Sequence, residues 1–240
     1  MSYLKVFYNE VFYRPLLGAL VFLTSVLPGH DLGLAVILLT VFIRTLTFPF
    51  THQMLKTQSA MKRIEPEVKK IYAEKKNKEE QTKALMELYR AHGINPLSGF
   101  FMLLIQLPLL FAMYQVFWRG IPFQAGEVYS FLNIPESINT MFLGFIPLTE
   151  ASVLLAVLAA ASQFLQAKLA VVVSNSSDKK DMQRMMQTQM VYFFPIMIFF
   201  IAFKLPAAVS LYWTAMNVFA IVHEAIVRRK AEKRSASYGG

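Results

Sequence analysis

One stretch of the chain limits most of what it can become: residues 151–173, ASVLLAVLAAASQFLQAKLAVVV, are 23 positions with Lys168, near one end, as their sole charge. At about 1.5 Å per residue a helix of that length measures about 35 Å, enough to cross a hydrocarbon core of roughly 30 Å. Residues 97–118 supply 22 positions without a charge, and residues 32–50 supply 19 with one, Arg44. Residues 189–205 and 207–226 are two more apolar runs, parted only by Pro206 with Lys204 just before it. A single helix over both would overshoot a bilayer, so two spans turning at Lys204–Ala207 are expected. The expected fold class is all-α: a polytopic membrane protein with five transmembrane helices at about 32–50, 97–118, 151–173, 189–205 and 207–226. Composition agrees, since 55% of the 240 residues are hydrophobic and only 16% are charged, where a soluble domain carries nearer a quarter.

The long polar stretch, 51–96, holds ten Lys/Arg and six Glu. It reads as two amphipathic helices forming a hairpin over 52–92. The first runs from about His52 to Lys76 with Pro66 marking a break or a fresh first turn. The second starts at Asn77, whose side chain can cap it, with Glu80 three positions on. Ala84, Leu85, Leu88 and Ala91 share one face, and Gly93 supplies the stop. A solvated face would account for most of its lysines. Lys62, Arg63, Lys69 and Lys70 are the candidates for recruiting something to it.

Counting Lys/Arg by connection gives 10 in 51–96, 3 in 174–188 and 5 from 227 onward, or 18 together; Lys5, Arg14, Arg119 and Lys204 are the 4 on the opposite side. The excess of positive charge places the hairpin, the 174–188 loop and the basic tail 227–240 in the cytoplasm, with the N-terminus outside. Within residues 1–30 the apolar stretch LLGALVFLTSVLP is 13 residues, too short to span, and follows Glu10 and Arg14. An amphipathic helix on the outer face is expected there, a tilted or re-entrant segment being the alternative.

Arg44 is the residue most out of place. A charge in hydrocarbon costs about 3 kcal/mol on insertion scales and normally faces protein or a watery cavity. It could also snorkel to nearby headgroups. Thr40, Arg44, Thr47 and Thr51 are spaced four, three and four apart, which on one continuous helix is a polar stripe that snorkelling does not require. Ser210, Thr214 and Asn217 form a similar stripe beside Trp213, while Ser162, Gln163 and Gln166, and Gln106 and Gln115, lie in other runs. For each single Ser or Gln, interhelical hydrogen bonding that holds a bundle together is the slightly favoured account. Taken as a set, with the span interiors read as free of Asp and Glu, they fit a hydrated pocket for something negatively charged.

Several chemistries are excluded by what is missing. There is no cysteine, so neither disulfides nor thiolate sites are available. Neither GxxxxGK[ST] nor GxGxxG occurs, and His30, His52, His92 and His223 lack ligand spacing, each reading as a solvated or capping residue. No enzyme activity and no cofactor or metal is expected.

VFIRTLTFPF at 41–50, the segment KTQSAMKRIEPEVKKIYAEKKNKEEQTKALMELYRAHGINPLSGFFMLLIQLPLLFAMYQVF at 56–117, and PAAVSLYWTAMNVFAIVHEAIVRR at 206–229 together resemble the YidC/Oxa1/Alb3 membrane protein insertases. The resemblance implies a bacterial inner-membrane insertase and chaperone with a five-span core. Its hydrophilic groove would open to cytoplasm and lipid, work without nucleotide hydrolysis, and contain Arg44 with Thr40, Gln163 and Trp213 at or near groove positions; Thr47, Gln106, Thr214 and Asn217 join them as candidates from the polar pattern of the spans. Nascent membrane proteins are the implied partners, with the ribosome and a Sec translocon beside them and the lipid bilayer around them; direct DNA binding is not implied. An anion-selective channel or transporter, and a purely lateral assembly chaperone, are the rival readings.

Overall fold

The computed structural model describes residues 3–75, 77–95, 98–119, 123, 125–170 and 189–238. The expected loop 174–188, with Lys179, Lys180 and Arg184, lies outside the described residues, as does the end of the third expected span. The chain is mostly helical: α1 Tyr3–Val26, α2 Leu32–Leu46, α3 Phe48–Arg63, α4 Glu65–Glu74, α5 Lys78–Ala91, α6 Ser98–Trp118, α7 Val153–Ala170, α8 Phe194–Ala202 and α9 Ala207–Tyr238. Two-residue strands β1 (Met141–Phe142) and β2 (Ile146–Pro147) pair antiparallel between α6 and α7, a small departure from an all-α chain. The structure divides into two compact units, one of residues 1–45 with 108–240 and one of residues 46–107.

Three expectations change. The N-terminal helix runs well beyond the 13-residue apolar stretch that looked too short to span: it has 24 residues, long and apolar enough by length and composition to cross a membrane. Its polar interruption disappears because Arg14 and Glu10 neutralise each other one turn apart, 3.1 Å between Nη1 and Oε1. A π-helical turn, Asn9–Tyr13, lies in its middle. The first expected span stops at Leu46 instead of residue 50, because Thr47 is a turn and a new helix starts at Phe48 with Pro49 in its first turn, where a missing N–H costs nothing. Length and composition identify α1 and the Ala207–Val227 part of α9 as span-like among the described residues, plus α2 with α3 if that bent pair counts as one; Val153–Leu169 and Val191–Ala202 are shorter apolar helices.

In the larger unit, α7 packs against α9 and α8. Small residues line these faces: Ala156, Ala159, Ala167, Ala202, Ala207 and Ala208 are buried. Helix packing in lipid relies on such close approach, because burying an apolar side chain gains little when the alternative is a lipid tail. The long apolar side chains are instead left outside, among them Leu154, Val157, Leu158, Phe200, Val218 and Val222.

One end of this unit is tied by backbone hydrogen bonds. The Leu32 N–H donates to the Asn139 carbonyl (3.0 Å) and the Asn139 N–H to that of His30 (3.1 Å). The Ala207 and Ala208 N–H groups donate to the Glu150 and Leu148 carbonyls at 2.7 and 3.0 Å. Donors at the starts of α2 and α9, which have no partner within their own helices, are thus satisfied by a single connection, 139–150. The helix break before α9 falls at Phe203–Pro206, where the sequence placed a turn.

In the smaller unit Pro66 sits in the first turn of α4, and the Asn77 side chain accepts from the Glu79 N–H (2.9 Å) to cap α5. Gly93, at φ +64°, ends α5 in the left-handed region. Helices α4 and α5 lie against each other with opposite ends meeting: His92 Nε2 is 3.8 Å from Glu67 Oε1, and Lys75 Nζ is 3.9 Å from Glu80 Oε2.

Gly33, near the start of α2, lies under the Phe142 ring of β1, which a Cβ would overlap. Gly33→Ala is expected to lower stability by about 1–3 kcal/mol, the usual cost of overpacking. Gly126→Ala, in open space, is expected to change it little; thermal unfolding of the two variants in one detergent makes the comparison.

Candidate functional site

The polar side chains singled out in the sequence fall into three groups. Thr40 and Arg44 stand one turn apart on α2. Along that helix Val36 is fully buried and Thr40 is 1% exposed, whereas Leu34, Leu38, Val41 and Phe42 are turned outward. Arg44, four residues beyond Thr40, continues the buried side and is half-buried. It therefore extends from the protein-facing side of α2 and not from its apolar outer side. Tyr212, buried on α9, lies within its electrostatic reach. Thr40 uses its hydroxyl on its own helix, donating to the Val36 carbonyl at 2.6 Å, so its contribution to the site is shape and not a free donor.

The second group joins α7 to α9. Trp213 Nε1 donates to Gln163 Oε1 (3.3 Å), and Gln163 Nε2 donates to Gln166 Oε1 (3.4 Å). Asn217 Nδ2 donates to Ser162 Oγ (3.1 Å), which donates in turn to the Ala159 carbonyl at 2.9 Å. Asn217 is 3% exposed. Thr214 turns its hydroxyl to the Ser210 carbonyl (2.8 Å), and buried Ser210 donates weakly to that of Ala202 (3.5 Å). The structure thus brings Gln163, Trp213, Ser162 and Asn217 into one polar seam, with Thr214 satisfied inside α9.

The third group lies in the smaller unit. Thr47 stands at the turn between α2 and α3, and Thr51, buried on α3, donates to the Thr47 and Phe48 carbonyls. The four-residue stripe expected from Thr40 to Thr51 therefore does not run along one helix; the turn at Thr47 interrupts the period on which it depended. Gln106 is on α6, half-buried. Of the basic candidates, Lys69 pairs with Glu65 one turn away (2.9 Å), Arg63 and Lys70 are exposed, and the Lys62 side chain is outside the described residues.

Two side chains contradict the sequence reading. His223, taken as solvated or capping, is 6% exposed, and Glu224, inside the final run, is 5% exposed, so the spans are not free of carboxylates. Both fall inside the expected span 207–226, close to the basic tail.

A further cluster was missed altogether. The Tyr13 hydroxyl donates to Glu127 Oε2 (2.6 Å), Arg119 pairs with Glu127 and donates to the Tyr13 oxygen (3.4 Å), and its guanidinium lies over the Tyr13 ring, 4.9 Å from the centroid. Arg14 lies over Tyr129 at 5.4 Å, and the Tyr8 hydroxyl donates to Gln115 at 3.1 Å. The available signal was a balance of opposite charges, Glu10, Arg14, Arg119 and Glu127, on the side poor in charge.

Comparison with known proteins follows this geometry. A sequence profile of the family described as 60Kd inner membrane protein matches residues 22–234. The chain is 29% identical over 227 residues to "Membrane protein insertase YidC" of Oceanobacillus iheyensis, covering 92% of this chain and 84% of that one. It is 31% identical over 202 residues to the protein of the same name from Fusobacterium nucleatum (83% and 87%). It is also 31% identical over 217 residues to "Membrane protein insertase MisCA" of Bacillus subtilis (88% and 76%). Among solved structures, "Active YidC insertase crystal structure with the first transmembrane domain resolved" is similar in fold, with a TM-score of 0.54 at 24% identity. That match covers 92% of this chain and 46% of that one.

If the seam holds the helices, the Gln163–Trp213 bond has a measurable coupling. A double-mutant cycle of Gln163→Ala and Trp213→Phe is expected to return about 0.6 kcal/mol, the average for interhelical hydrogen bonds in membranes. Unfolding by graded SDS in mixed micelles provides the four free energies.

Proposed function

We propose a function from one premise: the chain belongs to the 60Kd inner membrane protein family, the YidC/Oxa1 insertases, and is a bacterial inner-membrane protein of that kind. It moves short hydrophilic segments of nascent membrane proteins across the bilayer and chaperones their folding, with no nucleotide hydrolysed. The observation that carries the reading is Arg44 on the buried side of α2, since a cation at membrane depth costs about 3 kcal/mol on insertion scales and normally marks a functional site.

A hydrophilic groove containing Arg44, Thr40, Gln163, Trp213, Thr214 and Asn217 of the larger unit, open to cytoplasm and lipid, lowers the cost of placing a polar segment at membrane depth. Arg44 attracts acidic residues in the translocating tail, while the substrate's apolar helix moves into lipid by hydrophobic transfer. The membrane potential assists export of negative charge by about 2.3 kcal/mol per charge per 100 mV.

The hairpin, the 174–188 loop and the basic tail face the cytoplasm, and the N-terminus lies outside. Helix α1 rests on the outer face, a reading supported by its partners: Tyr8, Tyr13, Arg14 and Gly18 meet Gln115, Arg119, Glu127, Tyr129 and Leu132, all at or just beyond the end of α6. A helix crossing the membrane beside α6 would meet residues progressively deeper along it. Lys62, Arg63, Lys69 and Lys70 recruit substrate, ribosome or Sec translocon to the hairpin.

The test is insertion into liposomes without nucleotide, read as protection of a single-span substrate from added protease. Loss of an attraction of about 1 kcal/mol corresponds to a roughly fivefold fall, so Arg44→Ala is expected to impair an acidic-tailed substrate about that much and a neutral-tailed one far less. Equal loss on both would sink the attraction mechanism, and a steady anion conductance of the reconstituted protein would favour a channel instead. Changing Lys62, Arg63, Lys69 and Lys70 together to Gln is expected to weaken crosslinking of ribosome-bound substrate to the hairpin at low salt. The difference from wild type should vanish near 1 M salt, where the screening length is about 3 Å.

A further inference from the structure

Between β1 and β2 the chain reverses through Leu143 and Gly144, at φ +53° and φ +80°. The Phe145 N–H donates to the Phe142 carbonyl at 3.3 Å, closing a β-turn with Leu143 and Gly144 at its centre inside the three-residue loop that joins the paired Phe142 and Ile146. Positive φ at both central positions is the geometry that Asn-Gly or Asp-Gly satisfies without strain. Leucine is a costly choice there, because its side chain crowds the backbone in the left-handed region. It is also the wrong choice for water, since Leu143 is 69% exposed, with Phe145 at 63% and Met141 beside them half uncovered. The whole stretch Met141–Pro147 contains no charged or strongly polar side chain.

The same hairpin is fixed firmly at its base. Ile146 and Leu148 are buried, Phe142 covers Gly33 at the start of α2, and the Leu148 carbonyl accepts from Ala208 at the start of α9. The base of the turn therefore sits level with the ends of two apolar helices. A two-residue strand adds only about 7 Å, so the tip stays close to the level at which those helices begin.

We infer that the Met141–Pro147 hairpin is a lipid-contacting anchor, whose Leu143 and Phe145 side chains enter the boundary between headgroups and acyl chains of the leaflet nearest the 139–150 connection. The strained leucine then has a reason: the turn gives up the easier residue to present an aliphatic side chain to lipid. The inference rests on reading α2 and α9 as spans, and not on what the protein inserts.

The chain has no native cysteine, so Phe145→Cys carries a single environment-sensitive nitrobenzoxadiazole label in full-length protein reconstituted into phosphatidylethanolamine/phosphatidylglycerol vesicles. Glu136→Cys, three residues before that connection and exposed, is the comparison. The label at 145 is expected to be quenched several-fold more by lipid carrying a nitroxide at carbon 5 than by aqueous iodide, and the label at 136 the reverse. Equal iodide quenching at both sites overturns the inference. So does a label at 145 shielded from lipid quencher until the protein is diluted in lipid, which would mean that a second copy covers the tip.

A second arm separates anchoring from folding: Leu143→Asn with Phe145→Ser suits the turn better, so the unfolding temperature in detergent should not fall. A label at Met141→Cys should nevertheless lose its lipid quenching in that background; if it keeps it, the tip side chains do not hold the hairpin in lipid and the inference fails. Protease-protected insertion, measured on the same vesicles, reports on the insertase reading independently of either arm.

Discussion

The polar seam between α7 and α9 is the interaction on which the larger unit depends. In lipid there is little hydrophobic gain from pressing one apolar helix against another, so orientation must come from close approach and from hydrogen bonds that hydrocarbon cannot replace. Ala156 and Ala159 allow the approach; Ser162, Gln163, Trp213 and Asn217 set the register. Each bond is worth well under 1 kcal/mol, yet a slip of one residue would strand four polar groups at once. That seam carries polar atoms to membrane depth for structural reasons alone. The groove reading asks it to do a second job with the same side chains.

Such economy explains why single residues in this protein resist assignment to structure or to function. Gln163 already accepts from Trp213 and donates to Gln166, so a passing substrate meets a side chain whose hydrogen bonds are committed. Arg44 differs. It carries a full charge, and its position on the α2 face shared with Val36 and Thr40 keeps it from the outer, apolar side.

Features set by local chemistry were legible in the sequence. Asn77, Pro66, Gly93 and the break ahead of Ala207 act within a few residues of themselves, and each stands where it was read. The turn at Thr47 was not legible, because apolar residues continue through Phe48, Pro49 and Phe50 and hydropathy cannot distinguish a bent pair from a straight span. The length of α1 was hidden by Glu10 and Arg14, which look like a polar stop until they are seen to cancel each other. Nothing local could reveal the Tyr13–Glu127–Arg119 cluster, in which Tyr13 is more than a hundred residues from the other two members. The stripe through Arg44 was half legible: its Thr40 portion needs one helix and has it, and its Thr47 portion needed a helix that stops.

The π-helical turn at Asn9–Tyr13 has a consequence for how α1 tolerates insertions and deletions. A π turn accommodates one residue more than an α turn, and each residue of α-helix advances the side chains by about 100°. Above the turn Tyr8 reaches Gln115; at and below it Tyr13 and Arg14 reach Glu127, Arg119 and Tyr129. The extra residue thus sets the phase between two halves of one helix, one gripping the last turn of α6 and the other the segment that follows it. A chain one residue shorter there could wind as unbroken α-helix and be locally more regular, yet it would point one half of its contacts away from their partners. In this helix the irregular turn is a phase adjuster, and its length, more than the identity of any side chain in it, is what the fold cannot change.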